Sequence, residues 1–276
     1  MPEREQPFQV LREKSGLASD SSSREQDTKG IGTGAPVREA VSFGIALIAA
    51  LTLAAPAAGY EAGPVSSGGQ ITGVVKLAGA PPAVPSITTT KNQDYCGATI
   101  PSPLYEVARS GGLANVEVFI KDIAKGKPKP AQPIALTNSH CMFAPRVQGA
   151  CVGQQIKIDS ADPILHNTHP QIADTNATLY NVALPFKGFS VVKPLAAQAG
   201  TLRVKCDVHE WTRAWILEFD HPYFATTDAE GRFRISDVPA GTYTVVAWHE
   251  VMGEKTGTVT VSAGKEATVD FQFTPK

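Results

Sequence analysis

The chain has 276 residues, with 25 Lys/Arg against 26 Asp/Glu, for a formal net charge of −1. That balance leaves no basic stripe for nucleic acid, and the length suits one or two domains that can each bury a core. With 24 Gly, 21 Pro and no long amphipathic pattern, the composition favours many short strands joined by turns and little helix.

Residues 1–36 are polar, rich in Ser, Glu and Lys, and lack the apolar periodicity that would repay ordering entropy, so they are expected to be a disordered leader. The GIGTG run at Gly30–Gly34 lies in this leader, not between a strand and a helix, and therefore reads as linker. Residues 37–59 hold Arg38, the apolar run Ala40–Ala58 and a small-residue ending, Ala55-Pro56-Ala57-Ala58-Gly59. This is the layout of a secretory signal, with cleavage expected near Ala57–Gly59 and a periplasmic or extracellular location. The run is nearly long enough to cross a bilayer, so an uncleaved signal anchor is the alternative. Contact with a membrane is expected only in that case. A start at Val37 would account for the long leader.

Residues 60–112 open with a Gly/Ser linker and the alternating segment Gln70–Leu77, which reads as a strand. An irregular stretch over 86–112 follows and contains Cys96. The next domain is expected over 113–220. Leu113–Lys121, Gln154–Asp159, Phe189–Lys193, Thr201–Cys206 and Ala214–Phe219 are its strand candidates, and Gly and Pro separate most of them. Regular short strands of this kind predict a sandwich or barrel. Residues 221–276 form a last module, with strands expected at Arg232–Ile235, Tyr243–Trp248, Gly257–Val261 and Thr268–Phe273.

The segment that carries chemistry is Thr201–Ile216, TLRVKCDVHEWTRAWI, in which a strand runs into Cys206 and His209 follows three residues later. Upstream stands His166, inside ADPILHNTH. Two imidazoles and one thiolate near a trigonal plane, with a weak axial ligand, suit copper that alternates between Cu(I) and Cu(II). His169 is the alternative to His166, because alternation alone does not separate the two.

This pattern resembles the cupredoxins, and most closely the short Cys-x2-His-x2-Met loop of the amicyanins, with HNTH similar to their upstream histidine segment. The resemblance implies a Greek-key β-sandwich, copper as cofactor, and His166, Cys206 and His209 as ligands. Thr212 stands where the short loop carries its axial Met and is the candidate fourth ligand, a harder one than a thioether, and no Met lies between Met142 and Met252. Ser160 stands where cupredoxins often place an Asn that ties the two ligand segments together. Trp211 and Trp215 flank the loop and offer an apolar docking face, with core packing as the other reading for Trp215. His140, His221 and His249 are expected to be structural.

The four cysteines of an exported chain tend to pair. If Cys206 stays reduced as a ligand, one of the other three is left over. A Cys96–Cys141 bridge with Cys151 as a buried free thiol is the expectation. Cys141–Cys151 across a hairpin is the alternative, and sequence leaves the connectivity open.

The stretch TTDAEGRFRISDVPAGTYTV resembles the carboxypeptidase regulatory-like, transthyretin-like β-sandwich. Gly69-Gln-Ile71-Thr-Gly73-Val-Val75 fits the opening strand of the same family. The cupredoxin-like part would then be inserted into this sandwich, with a tandem arrangement as the alternative. No Ser/His/Asp order, paired carboxylates or phosphate loop stands out, so no enzyme is expected. The expected function is one-electron transfer by an exported copper protein to a redox partner or other envelope protein. Copper handling without redox turnover, and a metal-free envelope scaffold, are the alternatives.

Overall fold

The computed structural model describes residues 59–275. The leader, the apolar signal segment and the GIGTG run lie outside the described residues. Among these residues, no helix is long and apolar enough to cross a membrane. The only helix among them is the single turn Gln93–Cys96; the rest of the regular structure is strand, most of it arranged as two β-sandwiches, with two short two-stranded pairs besides.

The first sandwich runs from Ile134 to Phe219. Its four-stranded sheet has the order Ser190–Pro194, Gln155–Ser160, Ile134–Ser139, Met142–Ala144. Its five-stranded sheet has the order Val182–Leu184, His166–Ile172, Gly200–Lys205, Arg213–Phe219, Val147–Cys151. Two pairings are parallel, Gln155–Ser160 with Ile134–Ser139 and Arg213–Phe219 with Val147–Cys151, and the other pairings antiparallel. Side chains alternate across each strand, and Leu136, Ile156, Ile158, Leu202, Val204 and Ile216 meet as a dry core between the sheets.

The second sandwich is assembled from distant segments. One sheet has the order Phe224–Thr226, Glu117–Ile120, Gly241–His249, Gly253–Val261. In the other, Gly69–Leu77 pairs antiparallel with Arg232–Val238 on one side and parallel with Glu266–Thr268 and Phe271–Phe273 on the other. Ile71, Val75, Leu113, Val118, Ile120, Phe233, Ile235, Val245 and Phe273 form its core. The first sandwich is thus one excursion of the chain, leaving after Ile120 and returning at Tyr223.

This differs from the expected boundary at 113–220. Leu113 and the strand Glu117–Ile120 pack and pair in the second sandwich, not the first. Alternation of apolar residues identifies a strand but is silent on its partner, because pairing is decided by contacts far along the chain. The strand expected over Thr268–Phe273 is broken into two short pieces, Glu266–Thr268 and Phe271–Phe273.

The two sandwiches meet through a shared aromatic and ionic seam. Phe219 packs on Phe119 and Phe224 at ring distances of 4.7 and 4.9 Å. Arg146, beside the first sandwich's Val147–Cys151 strand, holds Glu250 through two bonds of 2.5 and 2.8 Å. The Trp215 indole N–H donates to the same carboxylate at 2.9 Å.

Candidate metal centre

His166 opens the strand His166–Ile172, and Cys206 follows directly on the neighbouring strand Gly200–Lys205. Because these strands run antiparallel, with His169 opposite Lys205, the start of one lies beside the end of the other. His209 sits in the turn that leads to Arg213–Phe219. That turn is closed by the Cys206 N–H donating to the Thr212 carbonyl at 3.2 Å and the Thr212 N–H donating to the His209 carbonyl at 2.9 Å.

The side chains of His166, Cys206 and His209 converge, with ligand-capable atoms all within 4.8 Å of one another. The two histidine Nδ1 atoms are 3.0 Å apart, and Cys206 Sγ lies 3.9 Å from His166 Nδ1 and 3.8 Å from His209 Nδ1. All three residues are buried, none more than 1% exposed.

The outer ring nitrogens decide the tautomers. His166 Nε2 faces the Asp162 carboxylate at 2.9 Å, and His209 Nε2 faces the Asn92 carbonyl oxygen at 3.0 Å. Both partners accept, so each Nε2 carries the proton and each Nδ1 is left with a lone pair. Two lone pairs pointing at each other beside a sulfur, in a dry pocket, are mutually repulsive unless a cation lies between them. A trigonal ion bound at about 2.0–2.1 Å from nitrogen and about 2.3 Å from sulfur needs donors separated by about 3.5–3.8 Å. The two edges to sulfur, 3.9 and 3.8 Å, match that scale, the 3.0 Å edge between the nitrogens would open by about half an ångström around an ion, and a His2Cys donor set suits copper.

Burial favours neutral imidazoles at this site and opposes a free thiolate. Burial pushes the Cys206 thiol up, while backbone N–H groups of Asn167, His209 and Val208 act to lower it. Two of these, from Asn167 and His209, donate to Sγ at 3.4 Å each. Burial, and then the neighbouring His166, push His209 down to about 4, so it is a neutral donor at ordinary pH. Burial also lowers His166, with Asp162 pulling against it.

The support for these donors comes from residues that the sequence pattern does not single out. Asp162 is raised by burial, but N–H groups of Cys141 and His140 and the Tyr95 hydroxyl outweigh this and hold it below its usual range. Those N–H groups belong to the two-residue turn His140-Cys141, with φ of 52° and 62°, where the carboxylate accepts both at 2.8 Å. Left-handed residues at both positions are what a tight hairpin of this hand requires. Asn167 ties the ligand segments together: its side-chain oxygen accepts from the Asp207 N–H at 2.7 Å and the Val208 N–H at 3.2 Å. The tie that Ser160 lacks is therefore made by the residue after His166. Ser160 instead donates locally to the Asp162 carbonyl at 3.2 Å.

Residues 220–274 match the family model of the carboxypeptidase regulatory-like domain. The structure completes this regulatory-like sandwich with Gly69–Leu77 and Glu117–Ile120 from before the insertion. No curated protein matches the sequence. Among solved structures, the chain is similar to a Cu(I) form of an amicyanin variant, at 17% identity over 32% of this chain and 82% of that one, with a TM-score of 0.27. It is also similar to a purple cupredoxin from Nitrosopumilus maritimus (16%, 31% and 99%, TM-score 0.27) and to amicyanin from Paracoccus versutus (12%, 37% and 97%, TM-score 0.29). At these values the likeness is partial. The cupredoxin-like character of the inserted sandwich stands on its own two sheets and on its converging donors.

Thr212 is buried, and its hydroxyl donates to the Cys141 carbonyl at 2.6 Å, which also receives the Trp211 indole N–H at 3.2 Å. Its proton is thereby committed away from the donor triangle. His169 is not in the triangle; its two ring nitrogens bond Asp207 and Thr178, both at 2.8 Å. His221 and His249 accept backbone N–H groups within their own turns, and His140 is exposed beside Ser139. The disulfide is Cys96–Cys141, and Cys151 and Cys206 are free and buried.

Asp162 and Asn167 carry a faint sequence signal, since both flank His166 in ADPILHNTH. Asn92 and Tyr95 carry none of their own: they reach the site from an irregular segment far upstream, and only the expected bridge at Cys96 hints that this segment lies near Cys141.

Proposed function

We propose that this chain is an exported copper-binding protein whose inserted sandwich carries single electrons through His166, Cys206 and His209. The observation that carries the reading is the buried triangle of two Nδ1 lone pairs and one sulfur, with both outer nitrogens held by acceptors. Bound copper would supply a one-electron Cu(II)/Cu(I) couple. The protein's part is to present two neutral imidazoles, to stabilise a thiolate with two backbone N–H donors, and to keep water out of the site. Rigid strands on both sides of the triangle limit movement of the donors when the charge changes, which suits carriage over catalysis. The redox partner is expected to be another envelope protein.

Copper handling without redox turnover is the second reading. It is favoured by Thr212, which offers no soft axial sulfur and gives its proton to the Cys141 carbonyl. Copper titration of the full chain, read by visible absorption, tests both. An intense thiolate-to-Cu(II) band that vanishes in Cys206→Ser and His209→Ala, together with a reversible redox couple, is the outcome expected of a carrier. Stoichiometric binding without a reversible couple would select handling, and no binding of either copper ion would sink both.

A further inference from the structure

A short loop of the chain lies across the donor triangle, and its contacts are not explained by holding the sandwich together. Ile87–Thr88 pairs with Thr99–Ile100, so residues 89–98 form a narrow-necked loop outside both sandwiches. The loop is braced internally. The Thr89 N–H donates to the Ala98 carbonyl at 3.1 Å, the Cys96 N–H to the Asn92 carbonyl at 2.8 Å, and the Thr89 hydroxyl bonds the Gly97 carbonyl. None of the residues in its helical turn is buried, so no apolar burial docks it.

Three links bind this loop to the inserted sandwich, and all three lead to the donors. Asn92 meets His209 Nε2 at 3.0 Å. The Tyr95 hydroxyl donates to Asp162 Oδ1 at 2.9 Å, and Asp162 Oδ2 holds His166 Nε2. Cys96 is bonded to Cys141, whose N–H supports Asp162 and whose carbonyl receives Thr212 and Trp211. Asn92 itself adopts a left-handed φ of 52°, a conformation that Asn tolerates better than most residues. His209 is 0% exposed with the loop in place.

We propose that residues 89–98 are a cap latched by the Cys96–Cys141 bridge, and that Asn92 is a positioning residue that fixes the His209 ring and closes its outer edge to solvent. The cap deepens the reading of His166, Cys206 and His209 as a metal site and rests on it. Its consequence is that small ligands and solvent reach these donors only when the loop lifts. Without the bridge, two partly buried hydrogen bonds alone would hold the loop to the sandwich, and segments with so few links open locally at low cost.

The test uses the full chain freed of metal, so its result does not depend on whether copper binds. Cys206 and Cys151 are both free and buried, but Cys151 lies at the other end of the sandwich, against the His221 carbonyl. Alkylation of the two thiols by iodoacetamide, followed by mass spectrometry, therefore compares opening of the cap with opening of the fold. In Cys96→Ser/Cys141→Ser, Cys206 is expected to react on the order of tenfold faster or more, with Cys151 unchanged. Asn92→Ala, which keeps the bridge, should give a smaller rise at Cys206 alone and make His209 reactive to diethyl pyrocarbonate. Equal acceleration of both thiols in the double variant would mean that the bridge holds the fold and not a cap, and would overturn the proposal. So would an unchanged Cys206 in both variants.

Discussion

The two sandwiches share an architecture and differ in where they bury polar groups. In the regulatory-like sandwich, Glu117 apart, the buried polar side chains serve the backbone. Thr227 bonds the Leu113 carbonyl and the Val116 N–H, and His249 accepts the N–H groups of Val251 and Met252. In the inserted sandwich Asp162, His166, Asn167, His209 and Thr212 are all buried around one end of the sheet pair, and most of their bonds run between one another or to the ligand loop. A β-sandwich supports either pattern, so the fold alone does not make a site. Chemistry follows from polar groups placed where their partners satisfy every atom except those aimed at one point.

This contrast can be broken first from the regulatory-like side. Gly73 lies in the central strand Gly69–Leu77, where a Cβ would be driven into the Val269 carbonyl and the Phe233 ring. Gly73→Val is expected to cost more than about 4 kcal/mol and to leave this sandwich unfolded, read as loss of strand signal by circular dichroism.

The seam between the sandwiches is next. Arg146→Ala strands a Glu250 that is 7% exposed at its side chain, and should destabilise the chain by about 3–5 kcal/mol in denaturant titration. Replacing the pair together, as Arg146→Met/Glu250→Leu, should recover most of that loss, because the penalty lies in the unpaired charge. A double variant as unstable as the single one would show that the seam depends on the ions themselves.

A pH dependence should come from Glu117, which faces the seam fully buried, with the Thr226 hydroxyl donating to one oxygen at 2.6 Å. Burial pushes its carboxyl from 4.5 up to about 8, against the smaller pull of Thr226. The folded state then keeps a proton that the unfolded chain releases between these values. Its contribution to stability is complete below about pH 4.5 and is lost as pH rises toward 8. Glu117→Gln should flatten that slope and raise stability at pH 7 by up to about 3 kcal/mol, measured as the denaturation midpoint across pH. An unchanged slope would place the proton elsewhere.

The smallest expected effect sharpens the other half of the contrast. Asp162→Ala removes the acceptor that fixes the His166 tautomer and should weaken copper binding by about 10–100-fold in competition titration, with little change in the melting of the regulatory-like sandwich. Equal loss in both would mean that Asp162 serves folding first, through the His140-Cys141 turn.

Much of the fold is legible in the residues alone. Alternation locates Gln155–Ser160, Gly200–Lys205 and Arg213–Phe219 to within a residue or so, because a half-buried strand writes its period into the sequence. Val147–Cys151 is not legible as a strand: Val-Gln-Gly-Ala-Cys has small residues and no clear alternation, and its place depends on parallel pairing with Arg213–Phe219. The nearness of His166 to the Cys206–His209 loop is legible only by resemblance, since spacing says nothing about register.

By itself, the sequence determined the strand content, the donor types and the turn that carries Cys206 and His209, since these are local properties of composition and periodicity. Tertiary structure decided which sandwich owns Glu117–Ile120, that Asn167 rather than Ser160 ties the ligand segments, and that Asn92 and Tyr95 reach the outer faces of the site. The physical reason is common to all three. Each depends on pairings between segments far apart in the chain, and hydrogen-bond partners at such separations are chosen by the packed fold and leave no periodic trace in the residues themselves.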